Sequence, residues 1–170
     1  MGGLDEGSAV LMRFGNQKRK APLQYTLCGL DDVYLVSGYD LEDTEDGPVL
    51  SVHDVDGLRR AIGKYLATEK KVLNGKEIRF LRKELDLTQA ELARLLRVSD
   101  QQVARWEKSH CEMPGPADGL LRFIYLEEIG DSGFSVRNLL ETLGEIDAPV
   151  QDMQIFAATD EGWTPYKQAA

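Results

Sequence analysis

The chain has 170 residues, 42% of them hydrophobic and 29% charged, with a net charge of −9 at neutral pH. That length supports one or two small domains with real cores, and it contains no run of eighteen apolar residues that could span a bilayer. The acidic, Gly-rich start, MGGLDEGSAVLMRFG, lacks the basic-then-apolar layout of a secretory signal, and two cysteines fit a reducing compartment, so a cytoplasmic protein is expected.

Residues 1–20 read as a polar, flexible arm with a basic cluster, Lys18-Arg19-Lys20, that is either a solvated flank or an arm tracking DNA. From residue 21 the pattern changes to short apolar runs bounded by turn signals. Leu23 to Leu27, Val33 to Val36 and Val49 to Val52 read as strands of a small antiparallel sheet, with the acidic stretch Asp40 to Pro48 as a connecting loop. Asp54 or Asp56 then caps a helix reaching about Lys70, with Leu58, Ile62, Tyr65 and Leu66 on one stripe. Residues 21–70 are therefore expected to form a sheet-plus-helix unit closed by apolar burial, with Leu23, Tyr25 and Leu27 on one strand face and Val33 and Leu35 on another.

Asn74-Gly75 marks a turn before a helix over Lys76 to Leu85 with Ile78, Leu81 and Leu85 facing inward. Next comes Thr88 to Lys108, TQAELARLLRVSDQQVARWEK, the most informative stretch of the chain. Thr88 with Glu91, and Ser99 with Gln102, have the spacing of capping boxes, so two short helices start within eleven residues of each other. Ala93 is small enough for a close helix crossing, and Leu92, Leu96, Val98, Val103 and Trp106 fall on buried positions. Gln89, Ser99, Asp100, Gln101, Gln102, Arg105 and Lys108 are left as candidate DNA-binding residues. Gln101 and Gln102 suit adenine edges, and Gln89 and Arg105 suit phosphates. Asp100 would repel a phosphate but favours a helix N-terminus and accepts from cytosine. Residues 71–110 hold nine Lys/Arg against six Asp/Glu, a balance of +3, whereas residues 1–70 carry −4 and 111–170 carry −8. Since phosphate neutralisation drives affinity for nucleic acid, the one basic block coincides with the one motif that could use it.

These residues resemble the Cro-like, phage-repressor-type helix-turn-helix family, also called the XRE class, through Gln89, Ala93, Val98, Ser99, Val103, Trp106 and Glu107. The resemblance implies five helices around one core, with the helix after Ser99 as recognition helix in the major groove. Arg97 stands where many members have Gly, a departure that costs on the order of 1 kcal/mol if the position is left-handed.

Pro116 is placed to begin a further helix through Leu120, Ile124 and Tyr125 to Glu128, completing a helix-turn-helix domain of four to five helices over residues 74–130. In residues 131–170, Ser135 caps a helix over Val136 to Gly144. A strand-like Met153 to Ala158 and a tail with Trp163 and Tyr166 follow, available either to a dimer contact or to the protein's own core. The fold class is thus α+β: a sheet-plus-helix unit followed by an all-α helix-turn-helix domain.

A small sheet domain ahead of such a motif is similar to the layout of MqsA-type antitoxins, which carry an N-terminal zinc domain, neutralise a toxin and repress their own operon. The paired Cys-x-x-Cys sites of that family are missing here. Cys28, Cys111, His53 and His110 are the only soft ligands available, so no metal is expected. No nucleophile elbow, phosphate-cradling Gly loop or HExxH spacing is present, so no catalytic residues or cofactor are expected either. Two functions follow: a dimeric repressor of a palindromic operator on double-stranded DNA, or an antitoxin that binds a cognate toxin and autoregulates.

Overall fold

The computed structural model describes residues 21–131, 133, 135–145 and 153–167, together with two short strands, β1 (Arg13–Phe14) and β2 (Gln17–Lys18), which pair antiparallel. Most of the expected arm, including the Arg19-Lys20 end of its basic cluster, lies outside the described residues. The chain continues through β3 (Leu23–Gln24), β4 (Val33–Leu35), β5 (Tyr39–Thr44) and β6 (Gly47–Val52). Five helices follow: α1 (Val55–Thr68), α2 (Gly75–Glu84), α3 (Gln89–Leu96), α4 (Asp100–Glu107) and α5 (Gly115–Glu128). The described chain ends with α6 (Val136–Glu145), β7 (Gln154–Thr159) and β8 (Gly162–Pro165). The architecture is α+β.

The sheet is assembled from both ends of the described chain, in the order β3-β4-β7-β8. Its central β4–β7 pairing is parallel, Val33 to Leu35 against Gln154 to Phe156, so the sheet is mixed where a wholly antiparallel one was expected. The C-terminal segment folds back onto its own core. The Trp163 indole Nε1 donates to the carbonyls of His53 and Asp54 at 3.0 and 3.1 Å, fixing β8 to the start of α1. Tyr65 of α1 meets Phe156 of β7 edge-to-face, with ring centroids 5.9 Å apart. Val33, Leu35, Leu58, Ile62 and Phe156 are fully buried between sheet and helix.

Two strand boundaries differ from the sequence reading. The first strand stops at Gln24 because the chain turns, with Gly29 at φ 84° and its N–H bonded to the Thr26 carbonyl. Tyr25 stays buried, but Leu27 is thrown out to 74% exposure instead of joining the strand face. The acidic stretch Asp40 to Pro48 is no loop. It supplies β5 and the turn of a two-stranded hairpin with β6, in which Leu41 faces Leu50 and Glu42 faces Val49.

Helix ends follow the sequence closely. Asp54 accepts from the Gly57 N–H at the head of α1, Asn74 and Glu77 form a reciprocal capping box on α2, and Ser135 Oγ accepts from Asn138 on α6. Helix α1 serves two masters, packing on β8 on one side and on α2 and α5 on the other. Its close approach to α5 depends on Gly63, where a Cβ would come within 2.0 Å of the Tyr125 hydroxyl. Helices α1 to α5 thereby surround one core, which is continuous with that of the sheet.

Candidate nucleic-acid interface

The motif begins at α2. Its N-terminus lies against the C-terminal end of α4: the Gly75 N–H donates to Ser109 Oγ at 3.1 Å, and a Cβ on Gly75 would meet the Glu107 carbonyl at 2.5 Å. Any side chain there would push α4 away. The second contact is Ala93, 3% exposed, whose carbonyl accepts from the Val98 N–H at the turn. Arg97 ends α3 in the left-handed region at φ 56° and ψ 43°, so the turn keeps the geometry that glycine usually provides. Ser99 then caps α4, its Oγ accepting from Gln102 N–H. The reciprocal half of that second capping box is not formed, because the Gln102 amide donates to Cys111 Sγ at 3.5 Å.

Helix α4 is held from behind. Val103 and Trp106 are buried at 0% and 1% exposure, and Glu107, whose carboxylate is 4% exposed, is the hub of a polar lock. Arg82 of α2 donates to both of its oxygens, at 2.5 and 3.0 Å, and to the Leu87 carbonyl at 2.6 Å. Gln89 at the start of α3 donates to the same carboxylate at 2.8 Å. One carboxylate thus ties together α2, α3 and α4. A charge so buried is tolerable only because a bidentate guanidinium and an amide satisfy it.

The seven candidate DNA-binding residues therefore divide. Gln101, Arg105 and Lys108 are exposed on the outer side of α4, and none of their side chains makes a hydrogen bond or ion pair with another described residue. Ser99 and Asp100 are exposed at its N-terminus, where Asp100 Oδ1 accepts from the Gln101 N–H at 2.8 Å. Gln102 is half-buried against Cys111, and Gln89 is half-buried with its amide engaged by Glu107. The backbone N–H groups of Gln89 and Ala90 remain at the open N-terminus of α3, a position suited to a phosphate oxygen.

The field around this surface also differs from a simple count of charges. Arg82 is neutralised inside the lock, and Lys76 is paired with Asp31. Arg94 and Arg97, which the sequence reading did not single out, are further candidates: both are exposed without an ion pair among the described residues and lie at the end of α3 and in the turn that leads into α4. Their signal was Arg97 itself: a cation in the turn, two residues ahead of the Ser99 cap. His110 is exposed beside this surface, while His53 pairs with Asp40 at 2.6 Å and Cys28 donates to the Tyr25 carbonyl. No group of three or more His, Cys, Asp or Glu among the described residues is placed to hold a metal ion.

Residues 78–110 match a family model described as helix-turn-helix. This segment is a helix-turn-helix of the XRE class. A segment of this type supports a DNA-binding role in transcription regulation. No curated protein and no solved structure matches the chain. No described helix is long and apolar enough to cross a membrane.

Proposed function

We propose that the chain is a non-enzymatic repressor that binds a palindromic operator as a homodimer, with α4 in the major groove. The observation that carries this reading is the contrast across α4: Glu107, Val103 and Trp106 are fixed behind it, while Gln101, Arg105 and Lys108 stand free in front. Gln101 offers a carboxamide to an adenine edge, and Arg105 with Lys108 carries charge to the phosphates on either side. Gln102 has to leave Cys111 before it can join them. Six exposed cations without an ion pair among the described residues (Arg79, Lys83, Arg94, Arg97, Arg105, Lys108) in a chain of net charge −9 make a single copy a weak, salt-sensitive binder, which is why two copies on adjacent half-sites are needed.

Selection from random duplex DNA tests this. The expected product is a two-fold site with half-sites about 34 Å apart. Gln101→Ala is expected to relax preference at one position per half-site by roughly 1 to 3 kcal/mol, and Arg105→Ala to weaken all duplexes alike and lower the salt slope by about 1. Selection of no sequence, or variants that bind as the parent does, would refute the assignment of α4.

The β5–β6 hairpin favours a second reading, as an antitoxin. It carries five carboxylates (Asp40, Glu42, Asp43, Glu45, Asp46) and no cation, and exposes Leu41 and Val49, features complementary to a small basic toxin. A neighbouring gene for such a protein, and its co-purification with this chain, would decide for that reading.

A further inference from the structure

The tip of α4 carries an acidic side chain among the free cations of the motif. Asp100 is the first residue of the helix and is exposed, and no cation pairs with it among the described residues, although Arg97 and Arg105 are close in sequence. It is not needed as a cap, because Ser99 Oγ already accepts from the Gln102 N–H at 3.1 Å. Its Oδ1 accepts from the Gln101 N–H at 2.8 Å, which holds the carboxylate beside the residue that offers its amide to an adenine. Its Oδ2 has no hydrogen-bond partner among the described residues. Between phosphate walls such a group lowers affinity for every duplex unless a base supplies a donor to it.

We infer that Asp100 is a specificity-determining residue that takes a cytosine, and that it works by exclusion as much as by attraction. The inference rests on the placement of α4 in the major groove and names a base for it. A carboxylate has acceptors only, so in the groove an exocyclic amino group is what satisfies it. Guanine presents N7 and O6 there, both acceptors, and thymine presents O4 and a methyl group, so both are rejected. Adenine offers its amino group with the N7 acceptor beside it, whereas cytosine offers its amino group with no acceptor alongside. One free oxygen matches that one donor. The positive end of the α4 dipole offsets part of the cost of the charge in every complex alike, so the base decides the remainder. The Cα atoms of Asp100 and Gln101 are ~3.8 Å apart, close to the ~3.4 Å rise of a base pair, so the cytosine and the adenine are expected on neighbouring pairs. Rejecting the wrong base with an unpaired charge gives selectivity without a gain in overall affinity.

The test is selection from random duplexes, then titration of single-base variants of the selected site, with the full chain and its Asp100→Asn, Asp100→Ala and Gln101→Ala forms. For the parent, a cytosine beside the adenine assigned to Gln101 is expected, and guanine or thymine in its place should weaken binding roughly tenfold. Asp100→Asn places a donor beside the acceptor and is expected to move the preference at that one pair from cytosine to adenine. Asp100→Ala is expected to flatten the preference there and to bind the guanine and thymine sites severalfold more tightly than the parent does. A side chain that merely supported the helix end would, when removed, weaken all duplexes together. Asp100 variants that keep the parent's preference, beside a Gln101→Ala form that relaxes its own position, would overturn this inference and leave α4 in the groove. No change of preference in any of the three, or no selected site at all, would overturn both.

Discussion

The helix-turn-helix and the sheet are made in opposite ways. The first is built from contacts close in sequence: α3 and α4 are joined by a three-residue turn, and the lock on Glu107 reaches back only 25 residues to Arg82. The second is closed by segments from the two ends of the described chain, with Ser37 bonded to Ala158 across 121 residues. A locally determined unit is specified by its own residues. A unit closed by a distant strand depends on the whole chain having folded, and pays the larger loop-closure entropy. The function is carried by the local unit, and the sheet buttresses it through α1.

The largest effect separating the two is expected at the lock. Glu107→Ala leaves Arg82 buried at 10% exposure with no counter-charge, and releases Gln89 as well. A loss of about 3 to 5 kcal/mol is expected from chemical denaturation, with DNA binding lost in parallel. Retention of operator affinity by this variant would show that α4 does not need the lock.

Phe156→Ala is the matching cut in the sheet. Phe156 is fully buried on β7 against Tyr65, so truncation is expected to cost about 3 kcal/mol. Below the melting transition, operator affinity is expected to stay within about twofold, a difference of under ~0.5 kcal/mol. Hydrogen exchange should then show amides of β4 and β7 losing protection while those of α3 and α4 keep theirs. Equal loss in both regions would show that the two units unfold as one.

This division also explains what could be read from the sequence. The caps at Asp54, Thr88, Ser99 and Ser135, and the buried set Ala93, Val103 and Trp106, depend on neighbours three or four residues away, so spacing alone reveals them, whereas Asn74, read as a turn, proves to be the cap of α2. The parallel β4–β7 pairing, the return of Trp163 to the His53 carbonyl and the Arg82–Glu107 lock are tertiary, and nothing in the spacing of those residues announces them. The acidic hairpin was misread for a different reason: Asp and Glu are poor strand formers, and β5 forms because its cross-strand partners Leu50 and Val52 anchor it to the core.

A smaller effect is expected at Arg97. Held at φ 56° by the turn, it is strained, and Arg97→Gly is expected to stabilise the fold by roughly 1 kcal/mol. The same change removes a free cation beside α4, so affinity for all duplexes should fall as the melting temperature rises. A variant that gains stability and keeps its salt slope would remove Arg97 from the phosphate contacts.

The smallest effect compares two carboxylates with the same local role. Glu77 and Glu91 each close a capping box, yet their pKa values move in opposite directions. Glu91 is exposed and accepts from the Thr88 backbone N–H and hydroxyl, which hold its pKa below the ordinary carboxylate value. Its stabilising contribution is present above that ordinary value and is lost as pH falls toward the lowered one. Glu77 is fully buried, and desolvation raises its pKa despite the Asn74 N–H and Lys70 beside it. A raised carboxylate binds its proton more tightly folded than unfolded, so its contribution is greatest when protonated and is lost as pH climbs from the ordinary value through the raised one. Titration by carbon-detected NMR should therefore find Glu91 ionising first and Glu77 last of the two. Glu91→Gln should flatten the acid side of the stability profile, and a titration in the reverse order would mean that the α2 cap, where sheet and motif meet, is open to water.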